Sequence, residues 1–142
     1  MPKIKFEYKR FQNKPTPAFP DQKSVTKPVI PVTFINGNKS VDVVGLVDSG
    51  AYATLLSPDL CPLLGIRLED GKESIAVGIG GAEQKTYFHD LQIVVGGYQF
   101  NCYAGFTIGL SVELCLLGQK GFFQNFQNVS FNFNAGEIEL KW

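Results

Sequence analysis

Apolar and polar residues alternate along most of the chain from Val29 to Lys141, and the period is that of strands rather than helices. Val29–Ile35 reads as a strand, and after the hairpin dipeptide Asn36-Gly37, Ser40–Val47 reads as its antiparallel partner. Further strands are predicted over Glu73–Ile79, Gln84–Val95 and Tyr98–Phe106, with Gly80-Gly81 and Gly96-Gly97 supplying turns that need positive φ. A last hairpin is predicted from Val129–Phe133 and Glu137–Lys141, turned at Ala135-Gly136. Helix signals are few. Ser57-Pro58 is an N-cap followed by a first-turn proline and Gly65 is a stop, so Pro58–Leu64 is predicted as about two turns. A second short helix is predicted over Gln119–Phe126, where Phe122, Phe123 and Phe126 recur at helical spacing and are read as core.

Composition agrees with an all-β body: Val, Ile, Phe, Tyr, Trp and Thr number 45 against seven Ala. The 142 residues, 44% of them hydrophobic, suffice for one domain that closes its own core. Thirteen basic residues balance thirteen acidic ones, which argues against a generally basic nucleic-acid or membrane-surface binder. The balance hides an asymmetry, because residues 1–28 hold seven Lys and Arg against Glu7 and Asp21 and the remainder carries the opposite excess. Pro15, Pro17, Pro20 and Pro28 cluster there with Pro31 just beyond, so residues 1–28 read as a basic, Pro-rich N-terminal arm and roughly 12–28 as an extended connector. Two readings of the arm stand: it lies solvated on its own domain, or Ile4, Phe6, Tyr8 and Phe11 add a strand to a sheet edge elsewhere. No apolar run reaches the length of a membrane span and the first 14 residues are too charged for a signal-peptide core, so a cytoplasmic protein is expected. Cys61, Cys102 and Cys115 lack metal or disulfide spacing and read as buried free thiols, with no metal site expected.

The segment with chemistry runs from Val43 to Leu56, where a nearly unbroken apolar strand delivers Asp48 into a tight turn. A carboxylate at the end of a buried strand must be hydrogen-bonded or share a proton. Ser49 can donate and accept, and Gly50 lets a backbone N–H approach without a Cβ in the way. Taken alone, Asp48 is also readable as an ordinary turn residue at a strand end.

Three elements together resemble the retropepsin-like aspartic peptidases. Leu46-Val47-Asp48-Ser49-Gly50-Ala51 with Thr54-Leu55-Leu56 is similar to their active-site loop. Val77-Gly78-Ile79-Gly80-Gly81 is similar to the Gly-rich flap that closes over substrate, and Leu116-Leu117-Gly118, read at the start of a short helix, to the element packed under the loop. The tail from Gly121 to Trp142 looks most like bacterial members of that clan (clan AA), and the resemblance covers residues 29–142. It implies a single-lobe, closed β-barrel or sandwich with one or two short helices, acting as a homodimer.

The resemblance further implies an endopeptidase in which one carboxylate activates water and a second, about 3 Å away, donates to the scissile carbonyl. Only Asp48 stands in such a loop, so the second aspartate is expected from another copy on a twofold axis. Asp48 is then catalytic; Ser49, Gly50, Ala51 and Thr54 support the loop; Gly78, Ile79, Gly80, Gly81 and Ala53 serve the flap and substrate; Leu116, Leu117 and Gly118 pack beneath. No cofactor is implied, and the expected partners are a second copy of the chain and a peptide or unfolded protein, with no nucleic acid and no membrane span. Tyr52 and Gln119 depart from the retroviral pattern, which usually has an acidic residue and an Arg there, so a hydrophobic or hydrogen-bonded substitute is expected. His89, the only histidine, reads as a strand residue. The rival function classes are a non-catalytic dimerisation or peptide-binding module of the same fold, separated by Asp48→Asn, and a monomeric ligand-binding barrel, separated by sedimentation.

Overall fold

The computed structural model describes residues 2–77 and 80–142, and the architecture is built almost wholly from strands. β1 (Lys3–Glu7), β2 (Lys9–Gln12) and β3 (Ser24–Lys27) precede the predicted strands. β4 (Val29–Asn36), β5 (Lys39–Val47), β6 (Thr54–Leu56), β7 (Lys72–Val77), β8 (Glu83–Val95), β9 (Tyr98–Thr107) and β10 (Cys115–Leu117) follow. β11 (Asn128–Asn132) and β12 (Glu137–Lys141) end the chain.

Neighbouring strands run β4-β5-β10-β6-β9-β8, and β8 returns to pair with β4, which closes a six-stranded barrel. β7 extends that sheet outward from β8. Closure removes open edges, and the inward residues of alternate positions fill the interior. Ile30, Val32 and Phe34 of β4 are buried while Pro31 is exposed, the period-two pattern that the sequence carries. With Leu56, Ile93, Phe106 and Leu117 they form one contiguous core. Burying each such side chain contributes about 1.5–3 kcal/mol, so the barrel rather than any single bond holds the fold.

The turn chemistry is mostly as expected. Val95 pairs with Tyr98 across Gly96-Gly97, whose φ values of 54° and 87° only glycine adopts without strain. The first hairpin differs by one residue: Asn36 pairs with Lys39, so the loop is Gly37-Asn38, with glycine (φ 62°) at the first central position as in a type II′ turn. Asn36 instead uses its side-chain amide to donate to the Leu64 carbonyl at 2.9 Å.

Neither predicted helix forms an α-helix. Pro58–Leu60 and Pro62–Leu64 are two successive 3-10 turns. Ser57 caps the first and Gly65, at φ 64°, ends the second, but Pro62 has no N–H to return to the Pro58 carbonyl and the α ladder cannot start. Over Gln119–Phe126 only Phe123–Asn125 is helical, as one 3-10 turn, because Gly121 at φ 90° breaks the run and Lys120 bridges to Ala53 in extended conformation. The aromatic stripe is nevertheless core: Phe122 is buried among Phe100, Phe123 and Phe126, and Tyr98 packs on Phe100 and Phe126 with Trp142 stacked on it at 4.7 Å.

The N-terminal residues are more ordered than their composition suggests. β1 pairs antiparallel with β12, which also pairs β11, in a three-stranded sheet. Ile4, Phe6 and Tyr8 pack against the core, and Lys3 and Lys5 lie 3.7–4.0 Å from Glu137 and Glu139 on the outer face. β2 and β3 form a separate hairpin whose second strand lies in the stretch read as an extended connector, with the Lys9 and Lys27 ammonium groups 5.8 and 5.6 Å from the centre of the Phe11 ring. Among the described residues no helix is long and apolar enough to cross a membrane.

Candidate active site

β5 and β10 run parallel, with Leu117 opposite Val47, and the ladder extends one residue further as the Asp48 N–H donates to the Leu117 carbonyl at 3.0 Å. There the chain turns. Ala51 N–H donates to the Asp48 carbonyl at 3.1 Å, and Gly50 N–H donates to Asp48 Oδ1 at 2.9 Å. The carboxylate is thus oriented by its own turn while Asp48 stays half-buried and Ser49 is exposed. A Cβ on Gly50 would stand 3.2 Å from Oδ1, so glycine leaves the bond its room.

A second backbone layer supports that turn. Thr54, at the start of β6, is fully buried; its hydroxyl donates to the Lys120 carbonyl at 2.9 Å and accepts from Gly118 N–H at 3.2 Å. Gly118 lies so close that a Cβ there would collide with the Ala53 carbonyl oxygen and stand 2.7 Å from that of Ala51. Gln119 N–H donates to the Ala51 carbonyl at 2.8 Å, and Lys120 N–H to that of Tyr52 at 2.7 Å. The Gln119 side-chain amide donates to the Ser49 carbonyl at 2.8 Å, so Gln119 engages the loop through hydrogen bonds, whereas the Tyr52 side chain is exposed.

The structure therefore brings together Asp48, Ser49, Gly50, Ala51, Ala53, Thr54, Leu116, Leu117 and Gly118. Leu116-Leu117 belong to a strand, β10, and not to the start of a helix: Leu116 pairs with Leu46 of β5 on one side and Leu55 of β6 on the other. Of the predicted flap, Gly78 and Ile79 lie outside the described residues. Gly80 and Gly81, at φ 91° and 82°, stand in the connection from β7 to β8 with open space where side chains would begin. Sequence reasoning missed the backbone role of Lys120, for which no side-chain signal exists.

The other chemistry-bearing residues sit apart from the turn. His89 Nε2 lies 3.0 Å from the Leu68 carbonyl oxygen and its ring packs edge-on against Phe106. The three cysteines are free and buried, and desolvation pushes their thiols up, Cys61 to about 11 and Cys102 and Cys115 to about 12. Among the described residues no group of His, Cys, Asp and Glu could hold a metal ion.

A single-lobe closed barrel with an Asp-Ser-Gly turn at the end of a partly buried strand matches the retropepsin-like fold. A crystal structure of a retropepsin-like aspartic protease from Rickettsia conorii matches over 99% of both chains, with a TM-score of 0.61 and 17% identity. The retroviral protease-like domain of Ddi1 from Leishmania major matches over 82% of this chain and 94% of that domain, with a TM-score of 0.58 and 17% identity. At these identities the likeness is one of fold. In sequence the chain is 38% identical over 86 residues to DNA damage-inducible protein 1 of Neurospora crassa, and 42% identical to that of Chaetomium globosum. Both matches cover 58% of this chain, which spans 18% of the length of those relatives. No protein-family profile matches the chain.

Proposed function

We propose that the protein is an aspartic endopeptidase whose catalytic centre forms when two copies bring their Asp48 carboxylates together on a twofold axis. The observation that carries this reading is the Asp48 turn: a half-buried carboxylate at a barrel strand end, oriented by Gly50 N–H at 2.9 Å. Holding a carboxylate there costs desolvation, and one such turn supplies one of the two acids the chemistry needs. In the dimer one Asp48 is ionised and takes a proton from water as it attacks the scissile carbonyl. The other is protonated and donates to the developing oxyanion.

Residues 29–142 form the peptidase domain in this reading, residues 1–28 an arm upon it, and Gly78, Ile79, Gly80 and Gly81 the tip of a flap that closes over an extended peptide and excludes water. The exposed apolar side chains of Ile75 and Val77 on β7 support that role, since they offer a flap underside to hydrophobic substrate residues. Mass spectrometry of a diverse peptide library incubated at about pH 3 to 7 with wild type and Asp48→Asn tests the proposal. Cleavage by wild type and none by the variant is expected; cleavage that survives in Asp48→Asn would overturn it.

A further inference from the structure

We infer that Gln119 is a positioning residue for the Asp48 carboxylate, acting as an uncharged clamp through a single peptide group. The argument rests on reading Asp48 as the reacting acid. The Ser49 carbonyl and the Gly50 N–H belong to one planar trans peptide unit and point in opposite directions from it. Gln119 Nε2 donates to that carbonyl at 2.8 Å, and the same unit's N–H donates to Asp48 Oδ1 at 2.9 Å. The unit is the central peptide of the turn closed by Ala51 N–H on the Asp48 carbonyl, and such a peptide can rotate while the ends of the turn stay in place. Rotation would carry Gly50 N–H off the carboxylate. The Gln119 bond opposes it at the far end.

Gln119 is itself fixed to the loop it clamps. Its backbone N–H donates to the Ala51 carbonyl at 2.8 Å, its carbonyl accepts from Gln124 N–H at 3.1 Å, and Gly118 before it lies against the loop backbone. Only the NH₂ end of the amide can donate to a carbonyl, so the orientation of the side chain is determined by its partner. An amide does not titrate, so the clamp holds at the acid pH that an aspartate pair requires. The ionisable groups on the elements meeting it are Asp48 and Tyr52 in the loop and Lys120 beside it. All three are common to wild type and the variants, so each variant is compared with wild type at the same pH.

Gln119→Glu turns this geometry into a pH-readable test. Above the ordinary carboxylate range the new side chain has no hydrogen to donate and opposes the Ser49 oxygen, whereas near pH 3.5 it is protonated and can donate. Gln119→Leu lacks the donor at every pH, and Gln119→Arg restores one at every pH. Two readouts are taken, the Gly50 amide proton shift by NMR and peptide cleavage. At pH 6.5 both Leu and Glu variants are expected to lose the downfield Gly50 shift and about tenfold in kcat with KM nearly unchanged, a factor equivalent to one modest hydrogen bond. At pH 3.5 Gln119→Glu regains both and Gln119→Leu neither, while Gln119→Arg retains both throughout.

An unchanged Gly50 shift in Gln119→Leu, or a Gln119→Glu profile parallel to that of wild type, overturns the inference. If wild type cleaves nothing, the peptidase reading fails on its own, and the Gly50 resonance still decides whether the clamp exists.

Discussion

Replacing Thr54 by valine removes one oxygen atom from the layer beneath the Asp48 turn and changes little else in volume. The side chain is fully buried, so no water replaces the lost hydroxyl. Gly118 N–H, also buried, donates to that hydroxyl at 3.2 Å and loses its acceptor. The Lys120 carbonyl keeps a donor, the Thr54 N–H at 3.0 Å. An unsatisfied buried donor costs about 1–3 kcal/mol, so Thr54→Val is expected to destabilise by about 2 kcal/mol. Thr54→Ser keeps the hydroxyl and deletes one methyl from a packed site, which costs about 1 kcal/mol. Urea unfolding at neutral pH and fixed protein concentration measures both, since any association would shift the midpoint with concentration. The expected order is wild type, then serine, then valine, with equal slopes. A valine variant as stable as the serine variant would refute the hydrogen-bond argument and leave packing as the only role of Thr54.

Two further outcomes follow from burial. Desolvation raises the Cys61, Cys102 and Cys115 thiols from an ordinary 9.0 to about 11, 12 and 12, so the folded protein keeps protons that the unfolded chain releases; stability holds below pH 9 and falls as pH rises toward 12. Urea midpoints between pH 8 and about 10.5 should decline less steeply in a Cys102→Ala/Cys115→Ala variant, and identical slopes would exclude the thiols as the cause. In the arm, Phe6→Ala should cost about 2 kcal/mol because the ring packs against the core, whereas Lys5→Ala should cost less than about 1 kcal/mol because its ion pairs with Glu137 and Glu139 are exposed. Thermal unfolding of the two variants checks the order.

The strands visible in the sequence are those whose own residues decide their state. β4, β5, β8, β9, β11 and β12 are long enough for alternation to show, and their predicted limits fall within one residue or so of those observed. β6 and β10 have three residues each and no alternation to read. They are strands because β10 lies between β5 and β6, a tertiary fact that a local pattern cannot contain. β3 is obscured by the lysines and prolines around it; β1, legible only as an apolar stripe able to add a strand, is held by its pairing with β12 and by Ile4 and Phe6 packed on the core. The helical reading of Gln119–Phe126 failed for a similar reason, since the backbone of Gln119 and Lys120 is already committed to the loop of Ala51 and Tyr52.

The candidate site was legible at Asp48, Gly50, Thr54 and Gly118 because the loop geometry there uses a side-chain oxygen or the absence of a side chain. The segment from Leu116 to Lys120 explains where that legibility stops. Leu116 uses its backbone to join β5 to β6, and the Leu117 carbonyl takes the Asp48 N–H. Gly118 must lack a Cβ, and Gln119 supplies one donor from its side chain. Lys120 contributes only its N–H and carbonyl while its side chain is exposed, so the chemistry leaves that position free to vary. A loop held this way constrains type strongly at 118, weakly at 116 and 117, where any apolar residue that fits will serve, and at 119 only in its capacity to donate. Motif recognition therefore found the glycine and the leucines, and only the geometry assigns a task to the glutamine.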